Sequence, residues 1–224
     1  MDSSSMYHIL YEDKDIIVIH KMPGVAVQSG SISKIDIESL LKKYLKDSTG
    51  SDYLGIVHRL DQPVEGILVF AKNSLAAADL SKQVTGDNKD MEKLYKALVY
   101  GYMPEDKGQL VDMLYKDTKA SMAKVITDTK SPLYKQAKKA RLGYEVIKED
   151  EKTQLLKINL ETGRFHQIRC QLSNIGCPIL GDLKYGNQYS IEYAKATEVS
   201  NIALTAYSLS FNHPVTKKRM SFTI

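Results

Sequence analysis

The chain contains no tryptophan, four phenylalanines and two cysteines in 224 residues. The spacing of Cys170 and Cys177 gives neither a disulfide framework nor a zinc pattern, so both read as reduced packing residues of a cytosolic protein. The histidines, at 8, 20, 58, 166 and 213, form no HExxH and no paired Cys/His set, which argues against a metal centre. No apolar run approaches the roughly 20 residues that span a bilayer. Residues 1–15 lack a basic segment followed by an apolar one, so they do not read as a secretory signal. Internal repeats and Pro/Gly-rich linkers are missing. So are a Gly-rich phosphate loop, a GxSxG elbow and a dinucleotide fingerprint, because "GDLKYG" (181–186) is too short and wrongly ordered for one.

What is present is an ordinary globular composition, 43% hydrophobic and 26% charged, long enough for one large domain or two small ones. A net charge of +4 and a pI near 8.8 permit a nucleic-acid partner without establishing one.

Patterning predicts strand, turn and strand over 16–30, around Pro23-Gly24. Ser33 or Asp36 could cap a helix running to about Leu45. A strand over 67–72 leads to a helix over 73–83 capped by Asn73 or Ser74. Segments 94–100, 121–127, 141–147, 154–160, 204–211 and 220–224 carry β-favouring residues. Helices are few and late, so the expected fold is α+β: a mixed, mostly antiparallel sheet with packed helices. Residues 161–178 predict one more helix, with Thr162 as N-cap and Gly176 as C-cap. On it His166, Arg169 and Ser173 share a face.

Candidate chemistry starts at "VHRLDQPVEG" (57–66). Strand alternation would put His58 with Leu60 and Arg59 with Asp61, before Gln62-Pro63 ends the ladder. The plain alternative is a turn aspartate paired with Arg59. The functional alternative is a carboxylate kept ionised in a partly dry site by a cation, either Arg59 or Arg169. Lys93 and Tyr95 share a strand face, a cation beside a ring that could stack a base, although a lone strand tyrosine is more often core. Arg164, His166, Gln167 and Arg169 cluster near a helix start that favours phosphate. Against this stands a solvated helix face. Lysines 119, 124, 130, 135, 138 and 139 read as a solvated loop or as an electrostatic footprint for RNA.

Taken together, "YEDKDIIVIHKMPGVAVQSG", "HRLDQPVEGILVFAKN", "KLYKALVYG", "ETGRFHQIRCQLSNIGCPILGDLKYG" and "AYSLSFNHPVTKK" resemble the RluA-type pseudouridine synthases in order and spacing, over residues 7–224. The resemblance implies a flexible tail (1–6) followed by one catalytic domain (7–224) with an RNA-binding cleft across its sheet. It implies isomerisation of uridine to 5-ribosyluracil in ribosomal or transfer RNA, by a cytoplasmic protein, monomeric by default, without metal or other cofactor. The family's catalytic aspartate falls on Asp61, the tyrosine that packs on the target base on Tyr95, and the arginine that pairs with the aspartate on Arg169. His58, Arg59, Lys93, Arg164, His166 and Gln167 are the expected RNA-binding residues.

Two departures stand out. Most members read Thr-Ser-Gly where this chain reads Val64-Glu65-Gly66, losing two hydroxyls and gaining a negative charge. The small N-terminal RNA-binding domain of many members is not expected here, since Tyr7 already begins the catalytic pattern. Two other readings compete: an RNA-binding protein that kept the fold without the reaction, and a carboxylate-dependent glycosidase or nucleosidase acting on a small substrate. The latter normally needs a second carboxylate, for which Glu65 is the nearby candidate.

Overall fold

The computed structural model describes residues 5–30, 35–85 and 90–224. Among them lie four α-helices and eleven strands, mostly antiparallel, the mixed α+β architecture expected. The chain divides into two compact units, Met1–Lys93 with Ala206–Ile224, and Leu94–Thr205.

In the first unit, β1 (Tyr7–Glu12), β2 (Ile16–Lys21), β4 (Glu65–Ala71) and β10 (Leu204–Asn212) lie side by side. The short β3 (Gly55–Ile56) pairs with β4, and β11 (Arg219–Thr223) pairs with β10. The β-branched residues of β2 point alternately to two apolar faces. Ile16 and Val18 pack with Ile67, Val69, Leu80, Leu209 and Phe211. Each such fully buried side chain is worth about 1.5–3 kcal/mol.

Helix α1 (Ile37–Thr49) starts at Asp36, whose carboxylate accepts the Ser39 N–H at 2.8 Å while the Ser39 hydroxyl accepts the Asp36 N–H, a reciprocal cap. Gly50 ends it in a left-handed conformation. The alternative cap, Ser33, lies outside the described residues, as do residues 1–4 of the expected tail. Helix α2 (Ser74–Thr85) is capped by Asn73, which accepts the Ala76 N–H at 2.9 Å.

The second unit is built on β5 (Glu92–Tyr100), β9 (Thr153–Leu160), β8 (Lys138–Asp150), β6 (Lys107–Asp117) and β7 (Met122–Val125), in that spatial order. Helix α3 (Gln167–Asn174) packs on β6 and β7, and α4 (Gln188–Ala196) follows it in sequence. Leu114, Ala123, Ala140, Cys170 and Tyr185 form a core here.

Several expectations are corrected. Residues 22–30 carry no second strand; Ala26 makes only an isolated bridge to Asp36. Residues 57–64 are not strand either. The expected helix from Glu161 begins only at Gln167, because Thr162 is not its cap. Instead the Thr162 hydroxyl donates to Gln167 Oε1 at 2.7 Å and accepts the Arg141 N–H at 2.8 Å, holding 161–166 as a loop. The lysine-rich run is loop only in part: Lys124 lies on β7 and Lys138 and Lys139 begin β8, while Lys119, Lys130 and Lys135 lie outside the strands. Strands β1 and β6 and helix α4 were not foreseen.

Candidate active site

Asp61 sits half-buried in a tight turn in which its carbonyl accepts the Val64 N–H at 3.0 Å. What fixes this turn is a residue the sequence reading passed over. Lys21, last in β2 and on the face of Ile17 and Ile19, is fully buried. Its ammonium donates to the carbonyls of Met22 (2.9 Å), Val25 (2.9 Å) and Gln62 (3.1 Å). Burial pushes its pKa down to about 8, against the opposing pull of the Asp61 and Glu65 carboxylates. Gln62 is also clamped to the Pro23-Gly24 turn: Gly24 N–H donates to its carbonyl at 3.0 Å and its amide donates to the Gly24 carbonyl at 2.9 Å. Two loops distant in sequence are thus joined beside Asp61.

His58 replaces a strand partner. Beyond the β3–β4 bonds, the Val69 N–H donates to His58 Nε2 at 3.2 Å, so an imidazole fills the place a backbone carbonyl would take. That bond fixes Nε2 as the unprotonated nitrogen. Burial and the Lys93 ammonium push its pKa down to about 3, and His58 is neutral at physiological pH. Arg59 is exposed beside it.

The departing Val64-Glu65 pair now has a physical account. Val64 is core, 2% exposed. Glu65 Oε1 lies 2.7 Å from His20 Nε2 across β2 and β4. Gly66 is obligatory: its φ is +149°, and a Cβ there would lie 2.5 Å from the Cβ of Ala206 on β10.

Tyr95, in the second unit, is buried on β5; Lys93, on the same strand, is buried too and belongs to the first unit. His166, in a left-handed conformation (φ +50°), precedes α3. Its ring stacks on Phe165, and the Lys116 ammonium sits 4.7 Å from the centre of the Phe165 ring. His166 Nδ1 lies 3.0 Å from the Tyr185 hydroxyl. Arg169 places its guanidinium 5.1 Å from the centre of the same tyrosine ring, and the Ser173 hydroxyl donates to the Tyr185 carbonyl at 2.7 Å. The expected grouping of 166, 169 and 173 therefore exists, gathered around Tyr185. Arg169 forms a bidentate pair with Asp182, Nε at 2.7 Å and Nη2 at 2.8 Å. Gln167 is buried, with its amide shared among Thr162, the Arg164 N–H and the Arg141 carbonyl. Arg164 is exposed, with Nε donating to the Lys139 carbonyl at 3.0 Å.

Sequence reasoning missed Lys21, Asp182 and Tyr185. Lys21 was signalled by its place at period two behind Ile17 and Ile19, where a lysine must find buried acceptors. Asp182 and Tyr185 lie in "GDLKYG", which is no phosphate loop and closes a family-like motif without either residue standing out.

One group of described residues, Asp13, Asp15 and His213, brings ligand-type atoms within 4.8 Å of one another. His213 Nδ1 accepts the N–H groups of Val215 (3.2 Å) and Thr216 (3.1 Å), so its proton is on Nε2, facing Asp13 Oδ2 at 2.8 Å. Neither nitrogen keeps a lone pair for an ion. The group reads as a clamp between the β1–β2 hairpin and the turn after β10. Cys170 and Cys177 are free and buried; burial and the Asp112 carboxylate push the Cys170 thiol up to about 11.

Comparison with known proteins agrees with this architecture. The solved structure of "Human RNA Pseudouridylate Synthase Domain Containing 1" superposes with a TM-score of 0.75 over 100% of this chain and 85% of its own, at 21% identity, and so shares the fold. A protein of Aquifex aeolicus named "Uncharacterized RNA pseudouridine synthase" is 37% identical over 97% of this chain and 68% of its own length. The "Ribosomal large subunit pseudouridine synthase C" of Rickettsia bellii is 37% identical over 84% of this chain and 60% of its own. The chain thus spans about two thirds of the length of these relatives. The family model for RNA pseudouridylate synthase matches residues 15–174. The chain belongs to the RNA pseudouridylate synthase family, whose members are RNA-modifying isomerases.

Proposed function

We propose that this chain isomerises particular uridines of large-subunit ribosomal RNA to pseudouridine, with Asp61 as the catalytic carboxylate. The family match supports an RNA substrate, and the ribosomal relatives favour ribosomal over transfer RNA. The observation that carries the reading is the turn at Asp61: a half-buried carboxylate held in place through its neighbour Gln62 by a buried lysine and a second loop. Such restraint is what a reacting group requires and a surface turn does not.

The reaction breaks the N1–C1′ bond, turns the uracil and forms a C5–C1′ bond; the C5 hydrogen leaves as a proton and N1 gains one, so no redox partner is consumed. The target base leaves its stack to reach the site, at a cost of a few kcal/mol in a duplex and less in a loop. Tyr95 offers a ring against which the flipped base packs, and Arg169 is the cation that pairs with the catalytic carboxylate. Arg59, Lys93, Arg164 and His166 contact or steer the RNA. The protein acts as a monomer in the cytoplasm. The Val64-Glu65 departure lends no support to a binding protein without activity, since Val64 is core and Glu65 pairs with His20.

Mapping pseudouridines in total RNA with and without the gene tests the substrate. Loss of specific large-subunit sites, restored by the wild-type gene, is expected. Loss confined to transfer RNA would replace the ribosomal reading.

A further inference from the structure

The Gly181–Gly186 turn carries two side chains that both act on Arg169. Asp182 is 3% exposed and its carboxylate is saturated. Oδ2 accepts Arg169 Nε at 2.7 Å. Oδ1 accepts Arg169 Nη2 at 2.8 Å and the N–H groups of Lys184 (3.0 Å) and Tyr185 (3.1 Å). The Tyr185 ring covers the guanidinium from one side. That ring is itself pinned, its hydroxyl accepting the Ala123 N–H at 2.6 Å and meeting His166 Nδ1 at 3.0 Å. The turn is rigid by construction. Gly181 has φ +73°, and a Cβ there would lie 2.1 Å from the Asn201 carbonyl oxygen. The Gly186 N–H closes back onto the Asp182 carbonyl at 2.8 Å.

We propose that Asp182 is a positioning residue, fixing the plane and direction of the Arg169 guanidinium while Tyr185 holds its face. Two N–H groups of one edge are committed to Asp182, so the remaining edge has a single direction in which to offer hydrogen bonds. The pair is also neutral overall. Arg169 therefore acts on an anion through aimed donors rather than through net charge. A simple structural ion pair would need neither the ring clamp nor a turn that excludes every side chain at Gly181. The inference rests on the reading of Arg169 as the partner of the catalytic carboxylate.

The test compares Asp182→Asn, Asp182→Glu and Arg169→Lys. The readout is tritium release from C5-labelled total RNA taken from cells that lack the gene, with a thermal melt of each variant. Asp182→Asn should lower kcat at least tenfold with KM within twofold of wild type. Asp182→Glu keeps the charge but displaces it by one methylene, so it should keep the melting temperature and still lose at least tenfold in kcat. Wild-type kcat in folded Asp182→Glu overturns the positioning role, as does a loss in either variant that merely follows the unfolded fraction. Wild-type kcat in Arg169→Lys instead removes the role of Arg169 itself, which separates the two failures.

Discussion

The ammonium of Lys21 lies 3.1 Å from the carbonyl oxygen of Gln62, tying a fully buried cation to the residue that follows Asp61. Its pKa is depressed from 10.5 to about 8 in the fold. The unfolded chain therefore binds more protons between pH 8 and 10.5, and stability must rise with pH across that window. The gain is about 3 kcal/mol for a shift of this size. Urea unfolding of wild type and Lys21→Met, compared from pH 7 to 10, should show wild type gaining on the variant above pH 8. Parallel curves would contradict the burial of a charged lysine.

His58 gives a pH signature of the same sign in an acid window. Its folded pKa of about 3 lies below the ordinary 6.5, so its contribution is complete above pH 6.5 and is lost as pH falls toward 3. In an NMR titration the His58 ring signals should stay flat down to pH 5. His58→Ala should cost about 1–3 kcal/mol, because it leaves the Val69 N–H without its acceptor.

Gly66→Ala should be among the most damaging single changes in the chain. It forces a side chain into a left-handed conformation and against Ala206. A loss of about 3 kcal/mol or more is expected, from overpacking added to backbone strain. Chemical denaturation measures it.

Glu65→Gln should do little to the fold. The His20–Glu65 pair is partly solvated, at 17% and 34% side-chain exposure, and such pairs are worth less than about 1 kcal/mol. A larger loss would mean that the glutamate is integral to the Asp61 turn.

How much was legible in sequence depended on whether the signal was local. Asp36, Gly50 and Asn73 declare helix ends because caps act within a few residues. The β2 and β4 runs declare themselves by their apolar residues. The segment at 57–64 misled because its pattern fits a strand, while the structure substitutes one imidazole for the ladder. The loop at 161–166 was hidden for a similar reason: Gln167 satisfies backbone groups from a position later in sequence. Strand β6 alternates weakly, and its pairing is decided by β8, far along the chain. At the site, the residues named by resemblance came from three motifs, those holding Asp61, Tyr95 and Arg169. Lys21, Asp182 and Tyr185 act through other side chains or backbone, and only coordinates reveal that.

The central claim is that Asp61 carries the reaction. The direct measurement is tritium release from C5-labelled total RNA of cells lacking the gene, using wild type and Asp61→Asn, with RNA binding and folding checked in parallel. The account predicts release by wild type and none by a folded, RNA-binding Asp61→Asn variant. Undiminished release by that variant would contradict it.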